Sequence, residues 1–101
     1  MKFAKKSLGQ NFLIDRNIIK KIIDSVEIED RDIIEIGPGK GALTFEIIKR
    51  KPRVVHLIEK DTDLAFELKN KFSNFKNVKI YNADILKFNV EKILSKMTII
   101  F

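Results

Sequence analysis

Between Asp15 and Val26 the apolar side chains recur at Ile18, Ile19, Ile22, Ile23 and Val26, the three-and-four spacing of one helix face. Asp15 stands just ahead of that run and carries a short acceptor side chain suited to an N-cap. The period then changes. Arg31-Asp32 leads into the β-branched run Ile33-Ile34-Glu35-Ile36, a strand that stops at the glycine loop Gly37-Pro38-Gly39-Lys40-Gly41. Helical spacing returns from Ala42 to Arg50, with Leu43, Ile47 and Ile48 inward, and Lys51-Pro52 ends it. Arg53 to Ile58 predicts a second strand closing at Glu59. A helix from about Asp61 to Phe72 follows, with Leu64, Ala65, Leu68 and Phe72 on one face. Val78-Lys79-Ile80-Tyr81 predicts a third strand ending near Asp84. A short helical stretch then precedes Met97-Thr98-Ile99-Ile100-Phe101, which has the composition of a fourth strand.

A leading helix and three strand–helix alternations with short connections require parallel strands joined by right-handed crossovers, so the expected class is α/β, Rossmann-like. Ligands of such sheets bind beyond the carboxyl ends of the strands. The first three strand ends carry the glycine loop, Glu59 and Asp84 in turn, so all three are expected to face one crevice. With 101 residues there is room for one small domain, and 45% hydrophobic against 34% charged residues supports a packed core. The fourth strand is expected to lie at a sheet edge. No cysteine is present and His56 is the single histidine, which argues against disulfides, cysteine nucleophiles and a histidine-rich metal site. No apolar run is long enough to span a bilayer, and the basic start Met1-Lys2-Phe3-Ala4-Lys5-Lys6 lacks the apolar stretch of a signal peptide. A cytoplasmic protein without membrane contact is expected. Twenty Lys and Arg against 14 Asp and Glu give a formal charge of +6. That excess suits a polyanionic partner, and serves solubility equally well.

The chemistry concentrates at the strand ends. Glycines at a strand-to-helix turn permit positive φ and let the main chain approach a ligand; the plainer reading is a tight turn. Gly37-x-Gly39-x-x-Ala42 fits a dinucleotide fingerprint, with Glu59 at the distance of a ribose-binding acid. Glu35-x-Gly37-x-Gly39-x-Gly41 equally resembles motif I of class I methyltransferases, where the strand-end carboxylate Glu35 can serve an amino-acid head group. A carboxylate at Glu59 matches the paired hydroxyls of a ribose, against the alternative of an exposed acid paired with Lys60. Asp84 can accept from an adenine amino group while Ile85 covers the ring; the alternative is an Asx-type turn.

The stretch Ser7-Leu8-Gly9-Gln10-Asn11-Phe12-Leu13 separates these readings. Followed by Glu35-Ile36-Gly37-Pro38-Gly39-Lys40-Gly41-Ala42-Leu43-Thr44, by Glu59-Lys60-Asp61 and by Asp84-Ile85-Leu86, it closely resembles the ribosomal RNA adenine N6,N6-dimethyltransferases and the related macrolide-resistance methylases. The resemblance runs through essentially all of the chain. It implies the N-terminal half of a class I methyltransferase fold, with about four parallel strands after a leading helix. It implies S-adenosylmethionine as cofactor, held by Gln10, Asn11 and Leu13 near its head region, Gly37, Gly39 and Gly41 at the methionine portion, Glu59 at the ribose, and Asp84 with Ile85 at the adenine. The substrate implied is adenine N6 of small-subunit ribosomal RNA in a pre-ribosomal particle, modified by a monomer. Lys2, Lys5 and Lys6 are candidates for phosphate contacts, with a solvated tail as the equal alternative. The family's base-orienting Asn-Leu-Pro-Tyr/Phe element does not occur in the sequence, and Ile99-Ile100-Phe101 resembles the lead into it. The expectation is therefore a cofactor-binding part, cut before the catalytic motif, without the family's C-terminal helical domain and inactive alone. Two other classes stay open: a nicotinamide-dinucleotide module, and a non-catalytic RNA-binding assembly factor.

Overall fold

The computed structural model describes residues 15–101. Asp15 caps the first described helix, α1 (Arg16–Asp24), by accepting from the Asn17 and Ile18 amides. The β-branched run forms β1 (Asp32–Ile36) and the glycine loop turns it into α2 (Ala42–Lys49). There follow β2 (Val54–Glu59), α3 (Thr62–Lys71), β3 (Val78–Asn82) and β4 (Thr98–Ile100). Asp61 caps α3 through the Leu64 amide. The expected helix before β4 is reduced to a single 3₁₀ turn, Val90–Lys92. Leu86, Val90, Ile93 and Leu94 keep helical spacing, but none of them is buried against the sheet and Leu86 is left 89% exposed, so burial does not support a longer helix.

The four strands form one parallel sheet in the order β3-β2-β1-β4. Register places Ile33 beside Val55 and Val55 beside Val78, so these side chains share a face. That face, with Leu57, packs on Ile19 and Ile23 of α1, Leu43 and Ile47 of α2, Leu68 of α3 and its C-cap Phe72. Steps from β1 to β2 to β3 proceed in one direction, so right-handed crossovers keep α2 and α3 on one side. The rings of Phe45 and Phe72 meet across these two helices at 6.3 Å.

On the other face Tyr81 packs between His56 and Phe88, with ring centroids 5.7 and 5.1 Å away. His56 is buried and its Nδ1 lies 3.0 Å from the Tyr81 hydroxyl. At the amino end of the sheet the Arg53 guanidinium grips Asp32 through both carboxylate oxygens and holds that carboxyl below its usual range. Strand β4 lies at an edge, as expected, and Ile100 on it is half exposed. Among the described residues no helix is long and apolar enough to cross a membrane, and no cluster of three His, Cys, Asp or Glu is placed to hold a metal ion.

Candidate functional site

The parallel strands bring three chain segments to one end of the sheet. Beyond β1 the loop takes left-handed turns at Gly37 (φ 66°), Gly39 (φ 60°) and Gly41 (φ 88°). The glycines differ in what lies on their Cβ side. At Gly37 and Gly39 that space is open, whereas a methyl group on Gly41 would lie 3.0 Å from the Phe72 ring. Gly41 also spends its amide on the Pro38 carbonyl within the loop. Gly41 thus serves the packing of the loop on α3, while Gly37 and Gly39 present bare main chain to the outside.

Glu59, the last residue of β2, is 6% exposed. Its Oε1 accepts from the Gly39 amide at 3.0 Å and its Oε2 from the Asp61 amide at 2.9 Å. The carboxylate therefore stitches the glycine loop to the start of α3. Each carboxylate oxygen offers two acceptor positions, so one on each remains for a further donor. The alternative of an exposed acid paired with Lys60 is not what forms. Lys60 instead reaches Asp84, with Nζ 3.9 Å from Oδ2.

Asp84 lies two residues beyond β3, and its Oδ1 accepts from the Leu86 amide at 2.9 Å. That is the Asx turn foreseen as the plainer reading, and it leaves Oδ2 pointing to the exposed Lys60. Ile85 beside it is half buried. Asn82 bridges to β2, its side-chain amide donating to the carbonyls of Glu59 and Lys60 at 3.1 Å each. Gly37, Gly39, Glu59 and Asp84 are thus brought to one end of the sheet. Gln10, Asn11 and Leu13, like Lys2, Lys5 and Lys6, lie outside the described residues.

Glu35 adds a buried acid under the loop. It is 2% exposed, and its Oε1 accepts from the Thr44 hydroxyl at 2.5 Å. Burial pushes its carboxyl up to about 7; the Thr44 hydrogen bond opposes the rise and the Glu59 charge adds to it. Thr44 is a residue the sequence reading passed over. Its signals were its place at the end of the family-resembling segment and in the first turn of α2, nine residues after Glu35. The bridging amide of Asn82 was equally unforeseen.

A second feature borders the loop. A recess of about 700 Å³ opens between α1 and α2; among the described residues it is lined by Lys40, Gly41 and residues of α1, α2 and α3 and shares none with the Glu59–Asp84 crevice.

Comparison with known proteins places this arrangement. Residues 1–100 match the family described as ribosomal RNA adenine dimethylase. The ribosomal RNA small subunit methyltransferase A of Pelagibacter ubique is 48% identical over 98 residues, covering 97% of this chain and 37% of that protein. Its counterpart in Sulfurihydrogenibium is 47% identical, covering 90% of this chain and 36% of that one. The chain therefore spans little more than a third of the length of these relatives. Among solved structures, the 23S rRNA methyltransferase ErmE superposes with a TM-score of 0.66 at 37% identity, over 74% of this chain and 31% of that one. A dimethyladenosine transferase from Plasmodium falciparum gives 0.71 at 25% identity, over 85% and 30%. With a class I methyltransferase sheet, a glycine loop at its carboxyl end and a family match along nearly its whole length, the chain belongs to the ribosomal RNA adenine dimethylases.

Proposed function

We propose that these residues form the S-adenosylmethionine-binding part of an enzyme that dimethylates adenine N6 in small-subunit ribosomal RNA. The enzyme acts in the cytoplasm, as a monomer, on a pre-ribosomal particle. One observation carries the reading: Glu59 is fixed by two main-chain amides beside two left-handed glycines whose Cβ side is open. A ligand can lie against Gly37 and Gly39 with no side chain between, which fits the methionine portion of the cofactor. The acceptor positions left on Glu59 suit the two ribose hydroxyls, and because the amides hold the carboxylate in place, little entropy is lost when they engage.

Asp84 Oδ2, tied only to the exposed Lys60 at 3.9 Å, suits acceptance from the adenine amino group, with Ile85 against the ring. Gln10, Asn11 and Leu13 are proposed at the head region by family resemblance. Gly41 is assigned to packing. When bound, the cofactor supplies an activated methyl group, so the protein needs no nucleophile of its own. The work of the chain is alignment, with the ligand held at the strand ends and water excluded from its buried side. Calorimetric titration tests the reading: S-adenosylmethionine is expected to bind one to one, and NAD not at all. Binding of NAD in preference, or of neither, would overturn it.

A further inference from the structure

The recess between α1 and α2 is left unused by the proposed cofactor site, and its walls carry largely one sign of charge. Arg16, Lys20, Lys40, Arg50 and Lys71 line it, with Glu46 as the single acid among the described lining residues. Three of these six are occupied: Arg50 pairs with Asp24, Lys71 donates to the Lys40 carbonyl, and Glu46 pairs with Lys49. Arg16, Lys20 and the Lys40 ammonium have no carboxylate within ion-pair distance among the described residues. The floor is apolar, from Ile19 and Ile23, and the Phe45 ring stands 50% exposed beside it. Lys49 adds a further cation at that ring, 5.6 Å from its centroid.

An apolar small molecule seated here would bury these charges unpaired, at high cost. A flexible polyanion with flat faces suits the walls and the floor together. Phosphates neutralise the cations and release counterions, while a base stacks on the aromatic ring. We propose that this groove holds a single-stranded RNA segment, with phosphates on Arg16 and Lys20 and a base against Phe45. The inference deepens the reading of an RNA substrate and rests on it. It does not depend on the Glu59 site, since no residue is shared. Lys40 and Gly41 belong to both the groove and the glycine loop, so a strand lying there passes beside the cofactor crevice.

Fluorescence anisotropy with a labelled single-stranded RNA oligonucleotide tests this across a salt series. Three proteins are compared: the unaltered chain, Arg16→Glu with Lys20→Glu, and Lys76→Glu with Lys92→Glu. The second pair makes the same change in net charge at exposed positions outside the groove. The groove pair is expected to weaken binding at least about ten-fold and to reduce the log–log salt slope by about 1.4, two single-strand phosphate contacts. The remote pair is expected to lose less than about three-fold. Phe45→Leu provides an independent arm, expected to weaken binding about five-fold or more with the salt slope unchanged.

Equal losses from the two charge pairs, no loss from the groove pair, or full affinity in Phe45→Leu would each overturn the proposal. So would equal affinity for polyglutamate, which would make the groove a site for acidic protein. Titration with S-adenosylmethionine is run on the same samples. RNA binding that depends on the groove in a chain that takes no cofactor would sink the proposed function and leave the groove standing.

Discussion

Glu35 couples the residue scale to pH. Its carboxyl is raised from 4.5 to about 7 by burial, so the folded chain keeps a proton that the unfolded chain releases near pH 4.5. The protonated state therefore contributes stability fully below about pH 4.5, and that contribution is lost as pH rises through about 7. At about 1.4 kcal/mol per pH unit the loss across this window reaches about 3 kcal/mol. His56 acts in the opposite sense. Burial lowers its pKa from 6.5, so its contribution is present above that value and lost as pH falls. Glu35→Gln keeps the Thr44 partner and removes only the acid. Its denaturant midpoint is expected to match the unaltered chain near pH 4.5 and to exceed it at pH 8, measured by urea titration at both. Gly41→Ala is a second case, combining a positive φ with a methyl group 3.0 Å from Phe72. It is expected to cost about 2–4 kcal/mol, against about 1 for Gly37→Ala, whose Cβ side is open. Such distinctions lay beyond the sequence. Gly37, Gly39 and Gly41 look alike in a motif, and only packing of α3 against the loop separates them. Glu59 was legible as a strand-end acid because it closes β2, at the carboxyl end of a parallel sheet where ligands bind. Thr44 was not, because its partner comes from another element.

Elements were legible wherever burial has a period. The stripe at Ile19 and Ile23, the runs of β1 and β2, and the face holding Ala65 and Leu68 all pack as their spacing requires. The link from β3 to β4 was not: Leu86, Val90, Ile93 and Leu94 carry a helical period, but none of them is buried, so spacing there had no packing behind it. Its local order comes from single contacts such as Phe88 on Tyr81. Caps follow the same logic. Asp15 supplies acceptors to two amides that α1 cannot satisfy internally, and no acidic residue in its first turn offers a substitute. Asp15→Ala is expected to cost about 1 kcal/mol, lowering the thermal midpoint by about 4–8 °C for a domain of this size. Circular dichroism at 222 nm reads that change directly. An unchanged midpoint would show that α1 contributes nothing to the cooperative unit, contrary to the burial of Ile19 and Ile23.

At the scale of the whole molecule, ligand and fold are joined through one carboxylate. Strand order β3-β2-β1-β4 sets Glu59 between the glycine loop and the end of β3, and its two hydrogen bonds tie that loop to α3. A ligand that engages the remaining acceptor positions binds only the folded chain, so it raises stability by RT ln(1 + [L]/Kd). At a hundred-fold excess over Kd that is about 2.7 kcal/mol. Glu59→Gln keeps the side-chain volume and one carbonyl acceptor for the Gly39 amide, but replaces the other oxygen by a donor. Facing the Asp61 amide, that donor leaves it unsatisfied, and toward the ribose it can donate to one hydroxyl but no longer accepts from the pair. The apo chain should then melt within a few degrees of the unaltered one, because the loop retains its Gly37-to-Ile58 and Gly41-to-Pro38 hydrogen bonds. The increment from S-adenosylmethionine should disappear, as read by thermal scans with and without cofactor. If the increment survives, Glu59 is a structural staple of the loop and the ribose lies elsewhere. If both midpoints collapse together, the staple is what holds the sheet end in shape, and the acid's role in binding is not separable from its role in folding.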